Sequence, residues 1–565
     1  MGVNKQYFME TEYIIPVCYD DVFSDKPLEA EEYIKLIPRE SAIRIGLFLS
    51  NLTEKVSPLE LLNQLNLSQY LSHLILLKLK GEHQPNATHV LSTVNTGLEL
   101  LRVIFALDSQ KFIPRQNMSI IATSLLKAIL KINTDYVSKL GGLSDTASEL
   151  FSKRAKFKKY DADDRIAMYA NVYKSLRLLE FFIEHSTGDW GVLQSLLSNQ
   201  LCVISIKEYF QTILIKLTEK LFIEPSKSNV IFRYRPPFIV PNIIKELSVP
   251  IGSKISLDEN QDFAYFKEFP FIELNSIEYA VISNDFIINQ LYLSLRFRLS
   301  KLCRQHKIMD FPNRFNDEFI GEFLIGGLIE YIYGNKADCL LTDHKCKEME
   351  STLKTIFHKN NPNLSFSNAI DSPPDGYIRN NGNIILIECK GKILNAKALD
   401  DTTQCLKELK KDLVGKKGTG QLLKNMLRII NNQFLWDDSI PAHIKIYPIL
   451  IVDDSAFMAD GFNRFVIDST KDEIEKNKGV LMPITIIDID TFILSADLIR
   501  DGQINLENVI ERYHSYINGE FDKNSYTPLE FLSCKNVSFS TFIMSQYELR
   551  SPKIVKDLVN RLLTN

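Results

Sequence analysis

Hydrophobic and polar residues follow two different patterns along this chain. Between residues 30 and about 222, apolar residues recur every three or four positions, as in TGLELLRVIFAL and IAMYANVYKSLRLLEFFIEH. This spacing places apolar side chains on one face of a helix, so it predicts helices throughout the N-terminal part. The recurrence is too uneven to indicate a repeat of fixed length, and the pattern favours an irregular helical array.

The pattern becomes mixed from about residue 227. In NVIFRYRPPFIVPNII, prolines interrupt β-branched and aromatic residues, which is typical of connectors and edge strands. Further along, the pattern predicts a long helix over 317–333 and two strands over 373–379 and 384–390. Buried strands are predicted in HIKIYPILIVDD and PITIIDIDTFIL. Strands and helices that alternate at these spacings indicate an α/β layer with a mixed central sheet.

These changes of pattern predict four regions. They are a helical module over 1–230, a mixed α/β connector over 231–291, an α/β domain over 292–520 and a helical C-terminal tail over 521–565.

The composition narrows the class of protein. Hydrophobic residues make up 45% of the 565 residues and charged residues 24%, as in soluble globular proteins. The 66 basic and 70 acidic residues give a net charge of -4, which argues against coating nucleic acid through bulk positive charge. Eight scattered cysteines without a C-x-x-C pair, an acidic N-terminus and no long apolar run predict a reduced, cytoplasmic protein without a membrane segment.

The strongest chemical signal lies in the segment PDGYIRNNGNIILIECK. Asn381-Gly382 between two strand-like runs predicts a two-residue hairpin turn, because a type I′ turn needs positive φ at both positions. Pairing outward from that turn places Asp375 directly opposite Glu388. Like charges in this arrangement destabilise a strand pair, so two carboxylates at the end of an apolar strand indicate a divalent cation.

Lys390 extends this cluster, because residues two apart in a strand project from the same face. Its ammonium group therefore lies beside Glu388, where it can hold a water or stabilise negative charge. A metal and an ammonium group at one place suit the hydrolysis of a phosphodiester. The alternative is a solvated strand end in which Asp375 merely forms a turn.

The spacing of these residues resembles the motif of the PD-(D/E)XK nuclease superfamily. Pro374-Asp375 is followed by twelve residues and then by Glu388-Cys389-Lys390. The resemblance covers roughly residues 315 to 460. It implies a restriction-endonuclease-like α/β core, with a mixed central sheet flanked by helices, after a large and mostly α-helical region. It also implies that Asp375 and Glu388 bind Mg²⁺, for which Mn²⁺ substitutes, and that Lys390 positions the attacking water.

The resemblance implies two further site residues. Members often carry an acidic residue on a preceding helix, and Glu330 shares a helical stripe with Phe323 and Gly326, so we expect it to face inward and bind the metal. Glu322 is its rival. Members also often carry a polar residue on the helix after the Glu-x-Lys strand, where Gln421 stands. A solvated Gln421 at a helix N-terminus is the alternative.

Two basic segments, 292–314 and 401–428, flank the motif in sequence. Next to a phosphodiesterase site, such segments predict contacts with the phosphate backbone, although a solvated surface is the alternative. The candidate nucleic-acid-binding residues are Arg296, Arg298, Lys301, Arg304, Lys407, Lys410, Lys411, Lys416, Lys417 and Lys424.

Taken together, these patterns predict a Mg²⁺-dependent nuclease with DNA as the favoured substrate, and by analogy a role in restriction or anti-phage defence. The helical module is expected to act as a sensor, a scaffold or a holder of substrate, with a protein as a further partner. An RNA-directed nuclease and a non-catalytic binding platform with a nuclease-like fold are the alternatives, and a homo-oligomer is left open.

Two other groups of residues carry weaker signals. Cys339, His344 and Cys346 offer too few ligands at paired spacing for a structural zinc site. Asp488 and Asp490 lack a neighbouring lysine in the sequence, and we interpret them as strand-end and helix-cap residues.

Overall fold

The computed structural model describes most of the chain, and every structural statement below refers to these residues. They are residues 13–51, 75, 87–139, 146, 151, 164–213, 231–234, 240–360, 373–380, 382–394, 402–415, 418–519, 534–549 and 553–563. The chain forms two compact units. The first comprises residues 1–140 and 186–307, and the second comprises residues 141–185 and 308–565.

Helices dominate both units and account for 61% of the structure. In chain order, the described α-helices are α1 (Ala30–Ile34), α2 (Arg39–Ser50), α3 (Val94–Ala106), α4 (Met118–Lys139), α5 (Asp164–Glu184), α6 (Gly188–Gln200), α7 (Ile206–Gln211), α8 (Asn242–Glu246), α9 (Ala264–Glu268), α10 (Asn284–Gln290), α11 (Leu293–His306), α12 (Phe311–Arg314), α13 (Gly327–Tyr333), α14 (Asp343–Asn360), α15 (Thr402–Leu409), α16 (Thr419–Ile430), α17 (Phe462–Lys476), α18 (Ile489–Arg500), α19 (Leu506–Ile517), α20 (Phe539–Gln546) and α21 (Lys553–Leu563). Phe315–Gly326 and Lys410–Val414 are π-helical. None of these described helices is both long and apolar enough to span a bilayer.

The strands of the described residues form three small sheets. In chain order they are β1 (Tyr13–Pro16), β2 (Ala87–Val90), β3 (Ile231–Arg233), β4 (Ser248–Pro250), β5 (Phe271–Asn275), β6 (Glu278–Val281), β7 (Cys339–Thr342), β8 (Gly376–Asn380), β9 (Asn383–Lys390), β10 (Lys445–Val452) and β11 (Thr485–Asp488). The first unit contains the parallel pair β1–β2 and a mixed sheet in the order β3-β6-β5-β4. The second contains a mixed sheet in the order β11-β10-β9-β8-β7.

The first unit joins its helices to its sheet through polar side chains at the end of α2. The Ser50 hydroxyl donates a hydrogen bond to the backbone oxygen of Ile282 at 2.5 Å, and the Asn51 amide donates one to that of Val281 at 3.0 Å. Both side chains are buried, so these bonds satisfy polar groups that would otherwise lie unpaired in the core.

The second unit is built around strands β9 and β10. Ile384, Leu386 and Leu450 are fully buried, because helix α16 packs on these strands and the sheet continues on both sides. Strands β9, β10 and β11 run parallel, whereas β7, β8 and β9 run antiparallel. A parallel strand that is covered on both faces carries a continuous apolar run, as IILI in β9 does. The predicted mixed sheet with flanking helices is therefore confirmed, while its restriction-endonuclease-like identity stays a prediction.

The predicted register of the β8–β9 hairpin is confirmed. Asn380 pairs with Asn383 and Gly376 with Ile387, so each pair of residue numbers sums to 763 and the next pair outward is Asp375 and Glu388. Gly382 has the positive φ of +84° that a tight turn requires. Asn381 lies outside the described residues.

The division of the chain differs from the predicted one. The four-stranded sheet at 231–281 belongs to the first unit and is not a separate connector, and this unit extends to residue 307. Helix α5, predicted within the N-terminal module, belongs to the second unit. Helices α20 and α21 confirm the helical C-terminal tail where it is described, and they are part of the second unit as well. Hydrophobic spacing shows that a helix has a buried face, but not which core covers that face.

The hairpin turn supplies a first prediction. Gly382→Ala should lower the free energy of unfolding by about 1–2 kcal/mol or more, because an L-residue is strained at this φ and a Cβ would lie 2.9 Å from the His443 backbone oxygen. Gly502→Ala is the matched control, since its φ is +72° and a Cβ there meets nothing within 4 Å. Thermal or denaturant unfolding should show the larger loss for Gly382→Ala. Equal losses in the two variants would contradict the close approach of His443.

Candidate active site

Asp375, Glu388 and Lys390 line one cleft in the second unit, with a volume of about 790 Å³. Asp375 immediately precedes β8, and the other two residues end β9. The hairpin register brings the three residues together, and strand β10 continues the sheet beside β9. The three residues of the predicted motif therefore converge.

Glu388 is the most deeply buried member of the cluster, at 2% exposure. Its Oε1 atom accepts a hydrogen bond from Lys390 Nζ at 2.6 Å. Its Oε2 atom is buried and has no hydrogen-bond partner among the described residues. A buried carboxylate oxygen without a partner is costly, so this atom needs either a proton or a cation.

Asp375 is fixed by the backbone of the opposite strand. Its Oδ2 atom accepts a hydrogen bond from the Cys389 backbone N–H at 2.6 Å. Burial raises the pKa of Asp375 to about 6, although the charge of Lys390 and the bond from Cys389 act in the opposite direction. The Asp375 carboxylate is thus held beside Glu388 by the main chain.

The electrostatics of the cluster favour a bound proton when no cation is present. Burial, followed by the negative charge of Asp375, raises the pKa of Glu388 to about 8, and Lys390 offsets only part of that rise. Burial acts to lower the pKa of Lys390, but the charge and hydrogen bond of Glu388 outweigh it and raise the pKa. Lys390 therefore stays an ammonium group. Its single positive charge does not offset the cost of ionising both carboxyl groups, so the pKa values of both carboxyl groups stay raised.

The acidic residue on the preceding helix is Asp317. It lies in the first turn of the π-helix and lines the cleft. Burial and the charge of Asp343 raise the pKa of Asp317, and Lys390 and Lys347 act against the rise. Asp343 begins α14, lines the same cleft and forms an ion pair with Lys347 at 2.8 Å. Two acids that the sequence analysis missed thus lie near the predicted pair.

The prediction that Glu330 faces inward is wrong. Its side chain is 48% exposed and its Oε1 atom lies 3.4 Å from Lys345 Nζ, outside the cleft. Glu322, its rival, forms an ion pair with Lys347 at 2.6 Å and does not line the cleft either. The predicted stripe assumed 3.6 residues per turn, whereas Phe315–Gly326 is π-helical, with i→i+5 bonds and wider turns. The change of period rotates later residues away from the predicted face.

Gln421 lies in the cleft, as the resemblance implied. It stands in the first turn of α16, and its Oε1 atom accepts a hydrogen bond from the Gly418 backbone N–H at 3.2 Å. Asn425, one turn later, lines the same cleft and is 5% exposed. Helix α16 therefore presents amide groups to the cleft from its inner face.

The lysines of the second basic segment are partly described. Lys424 is exposed and lines the cleft. Lys407, Lys410 and Lys411 are exposed on α15 and the π-helical turn that follows it. Lys416 and Lys417 lie outside the described residues. An exposed lysine surface on the segment that precedes α16 is compatible with contacts to phosphate groups.

The first basic segment is different, because α11 belongs to the first unit and the carboxylates to the second. Arg296 and Arg298 are only 7% and 6% exposed, so the prediction that they form a basic surface is wrong. Arg298 donates a hydrogen bond to the Glu268 backbone oxygen at 3.1 Å, and Lys301 forms an ion pair with the Glu268 carboxylate at 3.0 Å. Arg304 is exposed. A count of charges along the sequence cannot distinguish buried arginines from exposed ones.

The residues of the cleft fit a Mg²⁺ ion that is bound by two carboxylates together with waters and substrate. Within the described residues, no group of three or more His, Cys, Asp and Glu side chains is arranged to hold a metal alone. Mg²⁺ usually binds through one or two carboxylates together with waters and substrate phosphates. The pair Asp375 and Glu388, with the unpartnered Oε2 atom of Glu388, meets that smaller requirement.

A second buried ionic cluster lies at the ends of β10 and β11. Asp488 caps α18, as predicted, because its Oδ1 atom accepts a hydrogen bond from the Thr491 backbone N–H at 2.9 Å. Asp490 has a different role from the predicted cap, since its Oδ1 atom lies 2.6 Å from Lys174 Nζ. No local pattern predicts this pair, because more than 300 positions separate Lys174 from Asp490 in the sequence.

Comparison of this chain with protein-family models, curated proteins and solved structures gives no match.

The raised pKa values of the carboxyl pair predict a stability that depends on pH. The folded, metal-free protein should hold protons that the unfolded chain has released above pH ~4.3, the ordinary glutamate pKa. Unfolding then releases protons, so stability should fall as the pH rises through 6 and 8, the pKa values of Asp375 and Glu388. Glu388→Gln should remove much of this fall, which is on the order of a few kcal/mol at most.

Unfolding temperatures in a chelator between pH 5 and pH 9 test this expectation. Glu348→Gln is the control, because Glu348 has a 67% exposed side chain, and it should keep the wild-type profile. Identical profiles for wild type and Glu388→Gln would show that the pKa of Glu388 is not raised in the folded protein.

Proposed function

We propose that this protein is a metal-dependent nuclease that hydrolyses phosphodiester bonds and that DNA is its substrate. The observation that carries the proposal is the buried Glu388 and the partly exposed Asp375, with Lys390 beside them in a cleft where Glu388 Oε2 has no hydrogen-bond partner among the described residues. A structural ion pair would not need a second carboxylate at this place. A cation and an anionic substrate account for all three side chains.

Asp375 and Glu388 are the residues that would hold Mg²⁺, and Asp317 lines the same cleft. When bound, the ion places positive charge beside the phosphate oxygens and lowers the pKa of a bound water. Because both carboxyl groups have raised pKa values, they release protons when the ion binds. The affinity for the ion should therefore rise with pH.

Lys390 has a different task. An ammonium group has three N–H donors, and one of them bonds to Glu388 Oε1 at 2.6 Å. The side chain is 23% exposed and lines the cleft, so its other donors can reach a water or a phosphate oxygen. The bond to Glu388 fixes the orientation of Lys390, which lets it hold the attacking water and stabilise the negative charge on the phosphoryl oxygens.

The remainder of the cleft suits a nucleic acid. Lys347, Lys392 and Lys424 line it together with the amide groups of Gln421 and Asn425. Ammonium groups neutralise phosphates, and amides bond to sugars and base edges without adding charge. A role in restriction or antiviral defence belongs to the same proposal by analogy with nucleases that carry this motif.

The proposal predicts which acids matter for cleavage. With plasmid DNA and Mg²⁺ or Mn²⁺, Asp375→Asn, Glu388→Gln and Lys390→Met should each lower the cleavage rate by about 100-fold or more, as expected when one charged group is removed from the reacting centre. Asp317→Asn should also lower it. Glu330→Gln is the matched control, because this acid is exposed and should be dispensable.

The same assay separates the alternatives. RNA and single-stranded DNA as substrates reveal the preferred nucleic acid. Undiminished cutting by both Asp375→Asn and Lys390→Met would refute the proposed site. Binding of DNA without cleavage by the wild type, in either metal, would favour the non-catalytic platform.

A further inference from the structure

Helix α5 (Asp164–Glu184) occupies an unusual place in the chain. It belongs to the second unit, but the chain on both sides of its segment, up to residue 140 and from residue 186, belongs to the first. Within the second unit it packs against the π-helix Phe315–Gly326, α18 and α21. A helix from the N-terminal half of the sequence therefore belongs to the unit that holds the candidate active site.

Lys174 connects α5 to the strand ends. Its side chain is 3% exposed, and its Nζ atom lies 2.6 Å from Asp490 Oδ1 and 3.9 Å from Asp453 Oδ1. Asp453 follows β10, and its backbone N–H donates a hydrogen bond to the backbone oxygen of Lys390 at 3.4 Å. Removing one partner of a buried ion pair is strongly destabilising, because it leaves an uncompensated charge. Lys174 therefore contacts Asp453, the residue whose backbone is bonded to that of Lys390.

Arg177 connects the same helix to the π-helix. Its Nη2 atom donates a hydrogen bond to the Phe323 backbone oxygen at 2.8 Å, and its guanidinium carbon lies 4.2 Å from the centre of the Phe323 ring. Its Nη1 atom pairs with Glu180, which also pairs with Arg561. A Cβ at Gly327 would lie 2.8 Å from Nη2, so this glycine leaves room for the guanidinium group.

An aromatic contact completes this attachment. The ring of Phe181, one turn after Arg177, meets the rings of Phe319 and Phe323 edge to face at centroid distances of 5.5 and 5.4 Å. The π-helix also carries Asp317, which lines the cleft, so α5 packs against an element that forms part of the cleft wall.

Helix α5 thus contacts the π-helix directly and reaches the end of β9 through Asp453. The π-helix supplies Asp317 to the cleft, and the end of β9 supplies Glu388 and Lys390. We propose that Lys174 and Arg177 are positioning residues, which hold these two elements of the cleft in the arrangement that the reaction requires. This inference rests on the proposed nuclease function, and it makes helix α5 an integral part of the catalytic unit.

Hydrogen exchange tests the positioning without any need for activity. In Arg177→Met, amide exchange over residues 315–326 should become about 3- to 10-fold faster, as expected for the loss of one hydrogen bond from a charged group. In Lys174→Met, the increase should fall on residues 450–454. Helix α17 should be unchanged in both variants, and Ile183→Thr is the control because Ile183 is a 49% exposed position on α5.

Kinetics test the link to the reaction. Arg177→Met should lower kcat for DNA cleavage by about tenfold per folded molecule, with KM changed less than about twofold, because the substrate contacts are intact. It should also raise the Mg²⁺ concentration needed for half-maximal rate. Arg177→Lys should recover part of kcat, since it retains a donor for the Phe323 oxygen.

The outcomes are distinguishable. A lower unfolding temperature with unchanged kcat and Mg²⁺ requirement would show a merely structural helix and overturn the inference. Unchanged exchange over 315–326 and 450–454 would overturn it as well. Failure of the wild type to cleave any nucleic acid would overturn the proposed function, while exchange would still decide whether α5 fixes the cleft. If Arg177→Met does not fold, Gly327→Ala, which crowds the guanidinium group without deleting it, should show the same increase in exchange.

Discussion

The close approach of two carboxyl groups at the end of one β-hairpin, one of them buried, is the constraint on which the candidate site of the second unit depends. Glu388 is almost completely buried, yet only one of its oxygens has a partner among the described residues. An isolated charge in such a place is costly, so the surroundings must compensate for it. Lys390 does so in part, and the Cys389 backbone N–H holds Asp375 nearby. The remaining strain is what a cation would relieve.

The fold produces this strain through ordinary β-sheet geometry. A tight turn at Gly382 sets the register, and the register places Asp375 opposite Glu388. Strand β10 continues the sheet beside β9, and Glu388 is only 2% exposed. The π-helix adds Asp317 to the lining of the same cleft. Each step follows from backbone pairing and packing, and the strained site is a consequence of a stable sheet.

Local rules explain why the sequence predicts the centre of the site. The turn residues and the alternation of apolar side chains lie within about fifteen positions of one another. Together they set the register of the β8–β9 hairpin. Lys390 and Gln421 follow from the same segment and from the resemblance to a known motif. The mixed sheet, too, follows from apolar runs in β9, β10 and β11 that are long enough to need covering on both faces.

The rest of the site depends on packing that no local rule describes. Asp317 lines the cleft and Glu330 does not, because a π-helix precedes Glu330 and single-sequence periodicity assumes 3.6 residues per turn. Arg296 and Arg298 are buried although their segment is basic. Lys174 reaches Asp490 from the N-terminal half of the chain. The signal available in sequence for Asp343 was its place directly after β7, since acids at strand ends often meet at one edge of a sheet.

The proposed function requires Asp375 and Glu388 to form a metal site, and calorimetric titration of the protein with Mn²⁺ is the decisive test of that site. Measured at pH 7 in two buffers with different ionisation enthalpies, the wild type should bind one ion with release of protons, because the pKa of Glu388 is raised to about 8. Glu388→Gln should bind far more weakly and release fewer protons. Equal binding by the wild type and Glu388→Gln, or no binding by the wild type at millimolar Mn²⁺, would contradict the account.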